Sequence, residues 1–244
     1  MTVPPVPVPV LDAVVLAGGR ARRLDGAAKP HVLLDGRALL AHVLDGLAES
    51  GLVRRVAVVG PPDVAVPSAV PLVQVQEDPP FGGPVAGIAA GLAALDDTTG
   101  PGRAPHDTPL RADTARSAGD LVAVVACDVP GGARMLPALV GALQAAPAAD
   151  GACARAEGRD QWLLAVYRRS ALADALCALA TERGELSDAI AAERGALSGA
   201  SVRGLVGGLD LVRVDDVTGA SADVDTWADL DALHRPSGQI RPSE

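Results

Sequence analysis

The sequence predicts a single α/β domain in which a mostly parallel central sheet is packed between two layers of helices. Short runs of small and β-branched apolar residues alternate along the chain with segments whose apolar residues recur at helical spacing. The 244 residues are 49% hydrophobic, which is enough to bury a sizeable core. We therefore expect one three-layer domain.

The predicted elements follow in order. A buried strand is expected at 13–17, where the run AVVLA ends at two glycines, and a helix at 37–50, which stops before Gly51. Further strands are predicted at 56–59, 72–75, 121–126, 161–166 and 211–214. Further helices are predicted at 84–95, 135–145, 170–180, 185–193 and 226–234.

Three segments fall outside this alternation. Residues 1–10 alternate Val with Pro and predict an N-terminal extension. Residues 96–119 are polar, rich in Gly, Pro and Thr, and show no apolar period, so we expect a flexible surface insertion. The domain itself is expected to span 11–235, and residues 236–244 to form a C-terminal tail.

Composition excludes several classes of function. Twenty-one Lys and Arg against 30 Asp and Glu give a net charge of -9, and aromatic residues make up only 2%, so nucleic acid is not an expected partner. Apolar runs stay well short of the roughly 18 to 20 residues that span a bilayer, so no membrane association is expected. Because the N-terminus lacks a signal-peptide pattern, we expect a cytoplasmic protein.

The residues that directly follow strands are the candidates for chemistry, because ligands of parallel sheets lie at the carboxyl ends of the strands. Gly18 and Gly19 follow the first strand, where glycine lets backbone N–H groups approach a phosphate, although an ordinary tight turn uses glycine too. Four cations come next, namely Arg20, Arg22, Arg23 and Lys29. The segment matches neither G-x-G-x-x-G nor the Walker pattern, so it predicts an anion site of another kind.

Asp128 stands at the end of the most apolar predicted strand. Mg²⁺ prefers one or two carboxylates together with phosphate oxygens and water, and this position beside the glycine loop can supply one. The alternative is a carboxylate that caps the following turn.

Four segments together resemble a known family. Residues 16–29 (LAGGRARRLDGAAK) are similar to L-A-G-G-x-x-x-R-[ML]-G-G-x-D-K, and Asp78 with 83–87 (GPVAG), 126–130 (ACDVP) and 223–226 (DVDT) are similar to later motifs in the same order. This is the pattern of the molybdenum cofactor guanylyltransferases, which are nucleotidyltransferases with a Rossmann-like fold. The resemblance makes 11–235 the nucleotidyltransferase domain.

The resemblance implies a role for each matching residue. It implies that GTP is held by a loop and a lysine, namely Leu16, Ala17, Gly18, Gly19 and Lys29, and that Asp78 helps to bind the nucleotide. It implies that Asp128 binds Mg²⁺ and that Lys29 and Arg23 neutralise charge during catalysis. Asp223 or Asp225 is a candidate second metal contact, of which we take Asp225, while an Asp ahead of Thr226 is equally an ordinary helix N-cap.

The implied reaction transfers GMP from GTP to the phosphate of molybdenum-bearing molybdopterin and releases pyrophosphate. GTP and molybdopterin are then the substrates, and a recipient molybdoenzyme is a candidate further partner. The alternatives are a related nucleotidyltransferase that uses CTP or a sugar phosphate, and a non-catalytic nucleotide-binding domain. Three departures from the family pattern bear on them: Asp25 replaces a glycine, Ala28 replaces an acidic residue, and 60–62 (GPP) replaces a frequent Asn.

Overall fold

A computed structural model describes residues 11–18, 28–62, 64, 67–96, 120–183 and 197–234. A seven-stranded sheet lies between two layers of helices. This confirms the predicted α/β fold with a mostly parallel sheet. In the described part of the chain, no helix is long and apolar enough to cross a membrane.

The strands are β1 (Leu11–Leu16), β2 (Leu33–Leu34), β3 (Arg37–Ala38), β4 (Val53–Val59), β5 (Leu72–Val75), β6 (Leu121–Ala126), β7 (Gly151–Ala156), β8 (Arg159–Arg168) and β9 (Leu211–Asp215). The helices are α1 (Leu39–Glu49), α2 (Pro84–Asp96), α3 (Leu136–Ala145), α4 (Arg169–Glu182), α5 (Val202–Val206) and α6 (Trp227–His234), with short 3₁₀ turns at Lys29–His31 and Gly132–Met135.

The main sheet has the strand order β5-β4-β1-β6-β8-β7-β9. Its first four strands are parallel neighbours, and β7 is parallel to β9. Only β8 within this described sheet runs against its neighbours, β6 and β7. The carboxyl ends of β5, β4, β1 and β6 therefore form one continuous edge, in that order.

Alternate residues of β1 face opposite layers, as expected for a central strand. Leu11, Ala13 and Val15 pack in one core with α1 and α3. Val14 and Leu16 pack in the other core with α2, α4 and α5. The strand is buried along its whole length, which fixes the position of the loop that follows it.

Several elements differ from the sequence-based expectation. The expected start of α1 at Arg37 was wrong, because residues 33–38 form a β2–β3 hairpin that turns at Asp35 and Gly36, both at positive φ. Neither β7 nor α5 was predicted. Asp96, the first residue of the expected insertion, ends α2 and pairs with Arg169. Residues 1–10, 97–119 and 235–244, and the predicted helix at 185–193, lie outside the described residues.

The amino end of β1 is anchored by a buried carboxylate. Asp12 has no solvent exposure and accepts hydrogen bonds from Arg54 at 2.6 and 2.9 Å and from Arg169. Arg55 lies 3.5 Å from the same carboxylate, because a bulge between β1 and β4 lets adjacent arginines turn toward it. This charge cluster lies at the end of β1 away from its loop.

Helix α2 lies unusually close to β1 because it carries glycine where it crosses the strand. A Cβ at Gly91 would lie 2.6 Å from Cγ1 of Val14, and one at Gly87 would lie 3.0 Å from Cδ2 of Leu16. Valine is stiff about χ1, so Val14 cannot easily give way. The two glycines therefore set the distance between α2 and the carboxyl end of β1.

We expect Gly91→Ala to lower the free energy of unfolding by about 1 to 3 kcal/mol, because the added methyl overpacks the core. Gly141→Ala is the matched control: it lies on an exposed part of α3 with open space around its Cβ. There alanine should raise the free energy of unfolding by about 0.5 to 1 kcal/mol through helix propensity. Urea denaturation measures both, and an equal gain in both variants would contradict the close packing.

Candidate functional site

The carboxyl ends of three central strands are joined by backbone hydrogen bonds. The Ala17 N–H donates to the carbonyl of Val59 at 2.7 Å, and the Cys127 N–H donates to the carbonyl of Leu16 at 3.0 Å. A Cβ at Gly60 would lie 3.0 Å from the backbone of Ala17. The glycine that departs from the family pattern therefore allows the chain after β4 to approach the loop after β1.

A lysine and two aspartates meet at this edge. The Lys29 Nζ donates to Asp128 Oδ2 at 2.7 Å and also to Asp225 Oδ1. The side chains of Lys29 and Asp128 are only 16% and 21% exposed, whereas that of Asp225 is 45% exposed. Three segments far apart in sequence thus converge on one point, and two carboxylates face it.

Asp225 is held in place by its neighbours. The Val224 N–H donates to the backbone carbonyl of Asp128 at 2.8 Å, which fixes the two chain segments side by side. The Asp229 carboxylate accepts from the backbone N–H groups of Asp225 at 3.1 Å and Thr226 at 2.7 Å. The Thr226 hydroxyl in turn accepts from the Asp229 N–H at 3.2 Å. Thr226 is therefore the cap of α6, and the side chain of Asp225 is left for Lys29.

The cluster of Lys29, Asp128 and Asp225 carries a net negative charge. Burial disfavours the Lys29 ammonium, but the hydrogen bonds and charges of Asp128 and Asp225 outweigh burial and raise the pKa of Lys29 above its ordinary value. Burial, together with the negative charges of Asp225, Asp128 and Asp229, raises the pKa of Asp223. A cation added here would relieve this repulsion.

The loop that leads to Asp225 is organised by Asp216. Its carboxylate accepts from the N–H and hydroxyl of Ser221 at 2.7 and 2.6 Å, and from those of Thr218 at 2.9 and 2.8 Å. Partial burial opposes the charge of Asp216, but these hydrogen bonds outweigh burial and lower its pKa well below the ordinary value. The turn is therefore held by an ionised carboxylate.

A cavity of about 370 Å³ opens beside the charged cluster. Its described lining comes from the strand ends and from the loop before α2: Leu16, Gly18, Val59, Glu77, Phe81, Gly83, Pro84, Gly87, Ala126, Cys127, Asp128 and Leu163. Most of these residues are apolar, and one wall carries the Asp128 carboxylate. The cavity suits a ligand that has an apolar part and a charged part.

Cys127 lies in the cavity wall but is 2% exposed. Burial raises the pKa of its thiol to about 12, with a further contribution from the charge of Asp128. The thiol is therefore neutral near pH 7 and is a poor nucleophile.

The structure brings together most of the described residues that the sequence singled out. Leu16, Gly18 and Asp128 line the cavity, and Lys29 lies between Asp128 and Asp225. Ala17 is buried behind the loop. Gly19 and Arg23 lie outside the described residues, so their proposed roles stay predictions.

The loop before α2 differs most from the expected site. Asp78 is exposed and does not belong to the described cavity lining, whereas its neighbour Glu77 does. Sequence reasoning missed both Glu77 and Phe81. The signal for Glu77 was its place just after β5, because the same strand-end rule had pointed to Asp128.

The residues at the cluster fit a magnesium ion that is shared with phosphate. Asp128 and Asp225 converge on one point and present oxygen ligands, which Mg²⁺ prefers. Across the described ranges, no group of three or more His, Cys, Asp or Glu forms a candidate metal cage. Mg²⁺ commonly binds to one or two carboxylates when substrate phosphates complete its coordination, so a full protein cage is not required.

The family model for the MobA-like NTP transferase domain matches residues 13–196. This chain belongs to that family. It is therefore a nucleotidyltransferase by family, and the matched range includes Gly18, Lys29 and Asp128.

Relatives and solved structures agree with this assignment. A molybdenum cofactor guanylyltransferase of Burkholderia lata is 36% identical over 124 residues, which cover 47% of this chain and 54% of the relative. The matched part of the chain thus spans about half the length of that curated relative. Molybdopterin-guanine dinucleotide biosynthesis protein A from Archaeoglobus fulgidus has a TM-score of 0.57 at 19% identity, covering 92% of this chain and 97% of that one.

A second solved structure shows how widely the fold is shared. The 4-diphosphocytidyl-2C-methyl-D-erythritol synthase from Anaerococcus prevotii has a TM-score of 0.60 at 11% identity and covers 93% of this chain and 95% of its own. At such identities the likeness concerns the fold alone. The choice of nucleotide must be argued from the site.

We expect Asp216→Asn to lower the free energy of unfolding at pH 7 by about 1 to 3 kcal/mol, because the amide cannot accept all four hydrogen bonds. The carboxylate contributes fully above its ordinary pKa of 3.8 and loses its contribution as pH falls toward its lowered folded pKa. The difference between the two proteins should therefore shrink as pH falls from 5 to 3 in urea denaturation.

The adjacent Asp215→Asn is the matched control, because Asp215 is 75% exposed and lies 3.8 Å from Arg155. It should change the free energy of unfolding by less than about 1 kcal/mol at either pH. A loss that is equally large for both variants, or independent of pH, would contradict the role given to Asp216.

Proposed function

We propose that this protein transfers GMP from GTP to the terminal phosphate of molybdenum-bearing molybdopterin and releases pyrophosphate. The observation that carries the proposal is the convergence of Lys29, Asp128 and Asp225 beside a largely apolar cavity and the Leu16–Gly18 loop. This arrangement offers a cation to a polyphosphate, two carboxylates to a metal ion that accompanies it, and an apolar space to the base that the polyphosphate carries.

The proposed reaction requires little proton transfer by the protein. A phosphate monoester is already anionic near neutral pH, so its attack on the α-phosphorus of GTP needs no general base. Lys29 suits this reaction, because its raised pKa keeps it an ammonium and its charge can attract phosphate oxygens. The role of Lys29 is to help hold the two anionic substrates in line and to neutralise the charge that develops between them.

Asp128 and Asp225 are the residues that would hold Mg²⁺. When bound, Mg²⁺ supplies charge neutralisation to the phosphate oxygens and to the departing pyrophosphate. The capping of α6 by Thr226 and Asp229 keeps Asp225 facing Asp128, so both carboxylates are positioned before substrate arrives. Preorganisation of this kind lowers the cost of binding.

The choice of GTP is supported by the curated relatives, which are named guanylyltransferases over the matched part. Transfer from CTP is the second candidate, because the fold, which a 4-diphosphocytidyl-2C-methyl-D-erythritol synthase shares, does not by itself select the base. A recipient molybdoenzyme that accepts the finished cofactor is part of the same proposal and follows from the product. The proposal keeps Gly19 as a GTP-binding residue and Arg23 as a residue that neutralises charge during catalysis.

The test combines nucleotide binding with turnover. GTP with Mg²⁺, at about 100 times its Kd, should stabilise the protein by about 2.7 kcal/mol, a Tm rise of roughly 5 to 10 °C for a domain of this size. CTP, ATP and UTP should shift Tm less. Asp128→Asn should weaken the Mg²⁺-dependent part of the shift and slow pyrophosphate release by at least about 100-fold.

Asp45→Asn is the matched control, because Asp45 pairs with Arg37 on an exposed face of α1. Its turnover should equal that of the wild type. Equal pyrophosphate release by Asp128→Asn and wild type would overturn the catalytic role. A preference for CTP would favour the cytidyl candidate, and no shift with any nucleotide would favour a non-catalytic domain.

A further inference from the structure

The residues that follow the strands differ in chemical character from one end of the sheet edge to the other. Along the order β5-β4-β1-β6, the residues that follow the strands are Glu77, Gly60, Gly18 and Asp128. Three interstrand steps separate the first from the last, or roughly 14 Å at about 4.8 Å a step. The glycine loop and the Lys29 cluster lie at the β1 and β6 end, and Glu77 lies at the other end.

A nucleotide whose phosphates lie at β1 and β6 can extend its base along the cavity toward Glu77, near the end of β5. Apolar residues of the cavity lining include Val59 at the end of β4 and Pro84 at the start of α2. Phe81 is 60% exposed and lines the same space. Apolar walls and an accessible aromatic ring suit a planar heterocycle.

Glu77 brings a negative charge into this otherwise apolar end. In the described lining of the cavity, only Glu77 and Asp128 carry a charged side chain. One carboxylate oxygen of Glu77 accepts from the Phe81 N–H at 3.1 Å, and Phe81 has a positive φ of 65°. A bulky residue in that conformation is uncommon, and such strain clusters at ligand clamps. The bond anchors Glu77, and a carboxylate has further acceptor sites.

We propose that Glu77 determines the choice of base by accepting two hydrogen bonds from guanine, one from N1–H and one from the 2-amino group. Guanine is the nucleotide base whose Watson–Crick edge presents two adjacent donors, which a carboxylate accepts together. Cytosine, adenine and uracil each place an acceptor beside their single donor group, and that acceptor repels a carboxylate. The inference rests on the proposed function and adds to it the residue that recognises the base.

A pterin ring presents the same pair of donors, so the chemistry alone also fits molybdopterin. The position of Glu77 favours guanine, because Glu77 lines the same cavity as Leu16 and Gly18 of the proposed GTP loop. Measuring GTP binding without any acceptor separates the two sources.

The experiment measures the Kd of GTP and of ITP, which lacks the 2-amino group, for wild type and Glu77→Gln by calorimetry with Mg²⁺. A glutamine oxygen can still accept from the Phe81 N–H, so the loop is kept while one acceptor becomes a donor. The Kd of GTP should rise by about 10- to 100-fold in the variant. Wild type should bind ITP about 10-fold more weakly than GTP, and the variant should lose most of this difference.

Glu49→Gln is the matched control, since Glu49 is exposed at the end of α1 and lies outside the cavity. It should bind both nucleotides as wild type does. If wild type prefers GTP and Glu77→Gln keeps the same affinity and the same preference over ITP, the inference falls while the proposed function stands. If wild type binds GTP no better than CTP, both fail.

Two further results would also overturn the inference. An unchanged GTP Kd together with a raised KM for molybdopterin in Glu77→Gln would assign the residue to the pterin. Should the variant fail to fold, equal affinities of wild type for GTP and ITP would refute contact with the 2-amino group.

Discussion

Two carboxylates that face one point repel each other unless a cation lies between them, and this constraint governs the carboxyl end of the sheet. Asp128 arrives there from β6 and Asp225 from the segment before α6, and the Lys29 ammonium donates to both. The three groups still leave one negative charge. Burial raises the pKa of Asp223, and the nearby negative charges raise it further. The site therefore favours an added cation, which under the proposed function would be the Mg²⁺ that accompanies GTP.

The geometry of this cluster depends on backbone contacts more than on side chains. Bonds from Ala17 to Val59 and from Cys127 to Leu16 align the strand ends, and the bond from Val224 to Asp128 brings in the last segment. Gly87 and Gly91 let α2 approach β1, so the floor of the cavity is fixed by the packed core. Backbone bonds and packed glycines therefore hold the backbone of the site in position.

The sequence predicted the central parallel strands and, through the strand-end rule, the positions of Gly18 and Asp128. It missed β7, because GACARA consists mostly of small residues that pack closely without looking strand-like; a Cβ at Gly151 would lie 2.8 Å from Leu211. The Asp35–Gly36 turn was a readable hairpin signal that the helical pattern after it obscured. Glu77 was not predicted because the motif contains only the adjacent Asp78, and which of two adjacent acids faces a cavity depends on loop geometry.

The most direct measurement is a crystal structure with Mn²⁺ in place of Mg²⁺ and a non-hydrolysable GTP analogue, in which anomalous scattering locates the metal. We expect a single strong anomalous peak that contacts the carboxylates of Asp128 and Asp225 and a phosphate oxygen, with Lys29 close to the phosphates. A metal peak elsewhere, or a nucleotide bound with full occupancy while Lys29 still joins both carboxylates and no metal contacts them, would contradict it.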